Sequence, residues 1–300
     1  MGEFWTFMGP AVLAAVFMSP IHALFGLHIV RRGLIFIDLA VAQVAAFGMS
    51  LAIGQGYEAQ SPTAYWYSVG FALAGALLIS VTRFRLGRVP HEAIIGVVYV
   101  LATAASIIVL EFSPSGHGLE ELKNMLAGNI LFVTSDQLRS TAWSYGIILA
   151  ILLVLWRSIS RLTLAGEKEK GARSVLLDFV FYSLLGFVVA SSVKIAGVLV
   201  VFSWLVMPAV VAFFFVDKLL AAAAVALPVG VIGSILGLLV SYHAPALKLH
   251  HVHEAESTIE YAGAAGWPSG PAIVATIGSI VAVAYVARLL IRQRSGGANE

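Results

Sequence analysis

Apolar residues run along this chain in long blocks separated by short polar or basic breaks, and that pattern decides the fold class. A bilayer core of about 30 Å takes about 20 apolar residues in a helix. Blocks of that length occupy roughly residues 4–25, 33–54, 63–83, 92–112, 138–157, 174–193, 195–216, 219–241 and 271–291. The sixth and seventh nearly merge around Lys194 and Gly197, so the pattern predicts eight or nine spans. The expected fold is all-α, a polytopic transmembrane helical bundle formed as one domain over residues 1–300.

Composition supports that reading and narrows the chemistry. Hydrophobic residues make up 60% of the chain and charged ones only 11%, too few to solvate a globular exterior of this size. Cysteine is absent, which excludes disulfides, thiolate metal ligands and a cysteine nucleophile. The opening MGEFWTFMGPAVL carries Glu3 where a signal peptide has its positive region, so a retained first helix is expected.

Charge placement gives the orientation. With nine spans and the N-terminus outside, the inner segments hold Arg31, Arg32, Arg83, Arg85, Arg88, Arg157, Arg161, Lys168, Lys170, Arg173, Lys218, Arg288, Arg292 and Arg294. The outer segments hold only Lys123, Arg139, Lys194 and Lys248. Fourteen cations against four is a strong positive-inside bias, and it places the C-terminus in the cytoplasm. Two hydrophilic segments stand out: a basic inner loop at 157–174, and an outer loop at 243–270 rich in histidine and glutamate.

Several polar residues sit inside apolar blocks. Asp38 and Gln43 share the second block, and a carboxylate there costs at least ~2.5–3.5 kcal/mol on insertion scales. Such groups line a pathway, accept hydrogen bonds from neighbouring helices, or snorkel to the interface. Five residues apart, they stand about 140° around a helix and form no chelating pair. His22, near the bend expected at Pro20, is either a metal ligand or a hydrogen-bonded interface histidine. His28, beside Arg31, is expected to face headgroups, and Glu111, Asp178 and Lys194 to be interfacial.

Glu92, just after Pro90, suits a helix start, where a first-turn acid complements the helix dipole. Pro208 must free a backbone carbonyl in the seventh span, which makes it either a moving, pore-lining kink or a static bend. The run HHVHEAE offers His250, His251, His253 and Glu254, donors that suit a borderline divalent cation, or else a solvated loop. It does not match HExxH, because position 257 is serine. No GxxxxGK[ST] phosphate loop and no G-x-S-x-G elbow occur, so no enzyme of its own is visible.

Four stretches together resemble the ABC-3 family of permeases, membrane subunits of bacterial importers of Zn²⁺, Mn²⁺ and Fe²⁺. They are IVRRGLIFIDLAVAQVAAFGMSLA (29–52), NMLAGNILFVTSDQL (124–138), IAGVLVVFSWLVMPAVVAFF (195–214) and GWPSGPAIVAT (266–276). The family places an acid and a histidine four apart in the first stretch; here those positions are Leu39 and Gln43, and the acid stands at Asp38.

The resemblance implies a transport subunit of the bacterial cytoplasmic membrane, in a homodimer with a second permease copy. It also implies cytoplasmic ABC ATPase subunits and an extracytoplasmic metal-binding protein. Arg161, Lys168, Lys170 and Arg173 would dock the ATPase, and Asp38, Gln43 and Pro208 would border the route. The divalent ion is cargo; no permanently bound cofactor and no nucleic-acid partner is expected. A permease for a metal chelate or other small solute, an ATP-independent channel or carrier, and a sensor without flux are the alternatives.

Overall fold

A computed structural model describes residues 2–59, 61–82, 89–113, 130–165, 171–243 and 267–296. Among these residues lie nine helices long and apolar enough to cross a bilayer, and no strand. They are α1 (Gly2–Arg32), α2 (Ile37–Gly54), α3 (Pro62–Thr82), α4 (His91–Glu111), α5 (Ser135–Ala165), α6 (Ala172–Ala196), α7 (Val198–Phe215), α8 (Leu219–His243) and α9 (Ser269–Gly296). A 3-10 turn at Ile130–Phe132 leads into α5.

The nine apolar blocks each become one helix. Gly197 settles where the sixth gives way to the seventh. Its φ of +81° is a conformation glycine adopts without a Cβ penalty, and its N–H bonds Val193 O at 2.9 Å to close α6.

Three of the boundaries that differ from the sequence reading bear on the polar residues. α1 runs on to Arg32 because Phe25, Leu27, His28 and Ile29 are all buried and keep it packed. α5 runs on to Ala165, since Ile159, Leu162 and Thr163 fall at helical spacing and bury one face. Much of the predicted basic loop at 157–174 is therefore helix, with Arg157 and Arg161 on α5 and Arg173 on α6. α2 starts at Ile37, four residues later than the apolar block, which puts Asp38 in the first helical turn.

Packing follows the small residues. α2 buries Ala40, Ala42, Ala45, Ala46, Gly48, Ser50 and Ala52, and α3, α4 and α6 close around it. Without a hydrophobic drive between helices in lipid, small side chains matter because they let backbones approach. A second group forms around α1, which packs on α7 and α8, with α9 outside them; α5 and α6 join the groups. At Gly26 the α1 backbone passes so near α7 that an added Cβ would overlap Leu205 O. The helices least buried by the rest of the chain are α4 and α9, with only 22% and 17% of their apolar windows buried.

Candidate functional site

Three groups of buried polar side chains interrupt the apolar interior. The first is on α2. Asp38 and Gln43 are 1% and 5% exposed, and Asp38 Oδ1 and Gln43 Oε1 have no hydrogen-bond partner. In the first turn, the Asp38 carboxyl lies at the positive end of the α2 dipole, which offsets part of its burial cost. Unpartnered buried acceptors are rare in folded proteins and mark places where something else is bound or moved.

The turn ahead of Asp38 is held from α4. Glu92 Oε1 accepts a hydrogen bond from Ile35 N at 3.2 Å. The acid read as serving the start of its own helix therefore reaches across to the α1–α2 connection.

The second group surrounds His22 on α1, which has no exposed surface. Its Nδ1 lies 2.7 Å from Met18 O and so carries the proton, leaving Nε2 to accept from Ser192 Oγ at 2.9 Å. The nitrogen a metal would need is thus covered by a hydroxyl. That hydroxyl has a second acceptor, Val188 O at 2.7 Å, so rotating it uncovers Nε2 without moving a helix. Tyr145 and Trp204 flank the imidazole with ring centroids at 6.3 and 5.8 Å.

Pro208 is buried within a continuous α7 and leaves Trp204 O without its helical donor. The Trp204 indole donates instead to Ser234 Oγ on α8 at 2.7 Å. Pro208 Cγ and Ser19 Oγ both face the Gly230 position, so this proline sits where α1, α7 and α8 meet.

The third group was not foreseen from the sequence. Arg32 Nη1 donates to Asp178 Oδ1 at 2.6 Å and to Tyr182 Oη at 3.2 Å, and Arg32 Nε donates to Thr163 Oγ1 at 3.0 Å. The Arg32 and Asp178 side chains are 2% and 0% exposed, a buried ion pair. Thr163 Oγ1 also lies 3.0 Å from His28 Nδ1, so one hydroxyl joins the arginine and the histidine. This corrects two expectations: His28 is fully buried against Trp156 and Phe181, and Asp178 is paired in the interior. The available signal was two opposite charges near one end of two apolar helices.

Among the described residues no three His, Asp or Glu side chains come together to hold an ion. His250, His251, His253, Glu254, Lys168 and Lys170 lie outside the described residues. Arg161 and Arg173 are exposed, on α5 and α6 respectively. A cavity of about 910 Å³ between α1, α5 and α8 is walled by Phe17, Leu24, Leu153 and Leu220 and touches none of Asp38, Gln43 or His22.

A helical membrane bundle with buried, unpartnered polar atoms is a scaffold shared by many transporters, and comparison with known proteins decides among them. The family model described as the ABC 3 transport family matches residues 5–247. The chain belongs to the ABC 3 transport family. The manganese transport system membrane protein MntC of Listeria monocytogenes is 23% identical to this family member over 243 residues, 79% of this chain and 82% of that protein. The chelated iron transport system membrane protein YfeD of Yersinia pestis is 23% identical over 244 residues, 80% and 78% of the two chains. Among solved structures, PsaBC from Streptococcus pneumoniae in complex with Fab has a TM-score of 0.70 at 18% identity, covering 94% of this chain and 93% of that one. As an ABC 3 member the chain is a transport component with multiple membrane spans.

Proposed function

We propose that this chain is the permease subunit of an ABC importer that carries a divalent transition-metal ion, Zn²⁺, Mn²⁺ or Fe²⁺, across the bacterial cytoplasmic membrane. The observation that carries this reading is the family match over residues 5–247. The transport of manganese and of chelated iron by relatives named for it supports the class of cargo. Asp38 is the residue assigned to the route, because a buried carboxylate with an unpartnered oxygen is a hard, anionic donor suited to Mn²⁺ or Fe²⁺ as well as Zn²⁺. Gln43 adds a neutral oxygen on the same helix, and His22 adds a nitrogen that its serine cap can uncover.

In this reading ATP is hydrolysed by separate cytoplasmic subunits that dock near Arg161, Lys168, Lys170 and Arg173. An extracytoplasmic protein delivers the ion, the outer segment with His250, His251, His253 and Glu254 collects it, and a second copy of the chain completes the permease. The basic excess at the ends carrying Arg32, Arg161 and Arg173 supports a cytoplasmic position for those ends, with the N-terminus outside.

The test is uptake by the complete complex in proteoliposomes, with Zn²⁺, Mn²⁺ and Fe²⁺ in competition. ATP-dependent uptake of one ion, lost in Asp38→Ala while the protein stays folded in the membrane, is the expected result. Uptake of a chelate that free ions do not compete would move the cargo to chelates. Normal uptake by Asp38→Ala would remove Asp38 from the route.

A further inference from the structure

The buried cluster around Arg32 has a position in the chain that gives it a consequence for coupling. Thr163 lies on the last turn of α5 and Asp178 on the second turn of α6, so they flank both sides of the α5–α6 connection. Both are bound by one guanidinium, Arg32, at the end of α1. From Arg32 only the turn 33–36 separates the chain from α2, whose first turn holds Asp38. Three helices and the approach to Asp38 are thus tied at a single buried cation.

The tie is also incompletely satisfied. Arg32 uses Nε and Nη1, while Nη2 is buried with no hydrogen-bond partner. A guanidinium and a carboxylate pair most strongly through two parallel bonds, which would engage Nη2 as well as Nη1. His28 Nε2, on the imidazole that meets Thr163 through Nδ1, is likewise buried without a partner. A small shift of α6 along α1 would exchange the one-bond arrangement for a two-bond one. Packed helices change between discrete arrangements rather than deforming continuously.

We propose that Arg32 and Asp178 are positioning residues that couple movement of the α5–α6 stems to the α1–α2 turn and so to Asp38, by switching between two pairing geometries. The inference rests on the proposed docking of an ATPase beside these stems. Arg32 and Asp178 themselves need not touch the ion.

Two measurements on the full chain test it. In the reconstituted complex, Asp178→Asn and Arg32→Lys preserve volume and a single hydrogen bond but not the paired geometry. Both should retain ATP turnover within about threefold while ion uptake falls at least tenfold, and the double variant Arg32→Asp/Asp178→Arg should recover part of the uptake. ATP turnover and uptake falling by one common factor, or both unchanged, would overturn the proposal, since loss of structure alone lowers the two together.

The second measurement does not depend on cargo. The chain has no cysteine, so Phe36→Cys and Leu176→Cys place two spin labels at exposed sites on the α1–α2 turn and on α6. In nanodiscs two distance populations are expected, collapsing to one when Asp178→Asn is added. A single population in the unmodified pair background, or two that survive Asp178→Asn, would refute the switch. Failure of the transport reading would instead appear as absent metal uptake by the wild-type complex.

Discussion

Adding one carbon at Gly26 tests the closest helix crossing directly. The Cβ of Gly26→Ala would overlap Leu205 O and stand 2.7 Å from Leu205 C and 3.3 Å from Leu205 Cα. These are backbone atoms of α7, so no rotamer change relieves the clash. Restoring ordinary contact requires α1 and α7 to separate by about 1.5 Å, which strips dispersion contacts from every pair along the crossing.

Overpacking of this kind costs about 1–3 kcal/mol, and the rigid neighbour puts this site at the upper end. Alanine's advantage over glycine in a helix returns only about 0.4–1 kcal/mol through the unfolded state. A net loss of about 2 kcal/mol lowers the melting temperature by about 3 °C for a chain of this size. Gly146→Ala on α5 is the matched control, because nothing lies within 4 Å of its Cβ position. Thermal unfolding in one detergent, read by tryptophan fluorescence, compares the two. Gly26→Ala melting at or above wild type would show that α1 and α7 do not cross as described.

Other outcomes follow from separate parts of the chain. Deleting 248–257 should weaken uptake at low metal concentration and leave it intact at high concentration; an unchanged concentration dependence would assign that segment to solvation alone. Charge reversal at Lys168 and Lys170 should reduce recovery of the ATPase with the permease on affinity purification, and full recovery would place docking elsewhere. Asp178→Ala, which removes both the charge and the acceptor facing Arg32, should lose about 3–5 kcal/mol and lower the yield of folded protein, whereas Asp178→Asn, which keeps a hydrogen-bond acceptor, should lose less.

What the sequence made legible was set by periodicity and length. The nine spans and the break at Gly197 follow from apolar run length and one glycine. Asp38 and Gln43 are visible because polarity inside an apolar run is conspicuous. The end of α5 was misplaced because Arg157 and Arg161 suggest a loop, while the helix is held by Ile159, Leu162 and Thr163 on its other side. The Arg32–Asp178 pair was missed because its partners are 146 positions apart, and only the packing of α6 near α1 brings them together. His28 was misjudged for the same reason, its partner Thr163 being 135 positions away.

The Glu92–Ile35 hydrogen bond links the two most different environments in the protein. α4 is little buried by the rest of the chain, and its 21 residues span about 31 Å, close to the thickness of a hydrocarbon core. A bilayer thinner or thicker than this tilts such a helix. Through Glu92 that tilt reaches the connection immediately before Asp38. Membrane thickness is therefore expected to act on this transporter as a mechanical input, with uptake varying across lipids of different chain length and Glu92→Gln weakening that dependence.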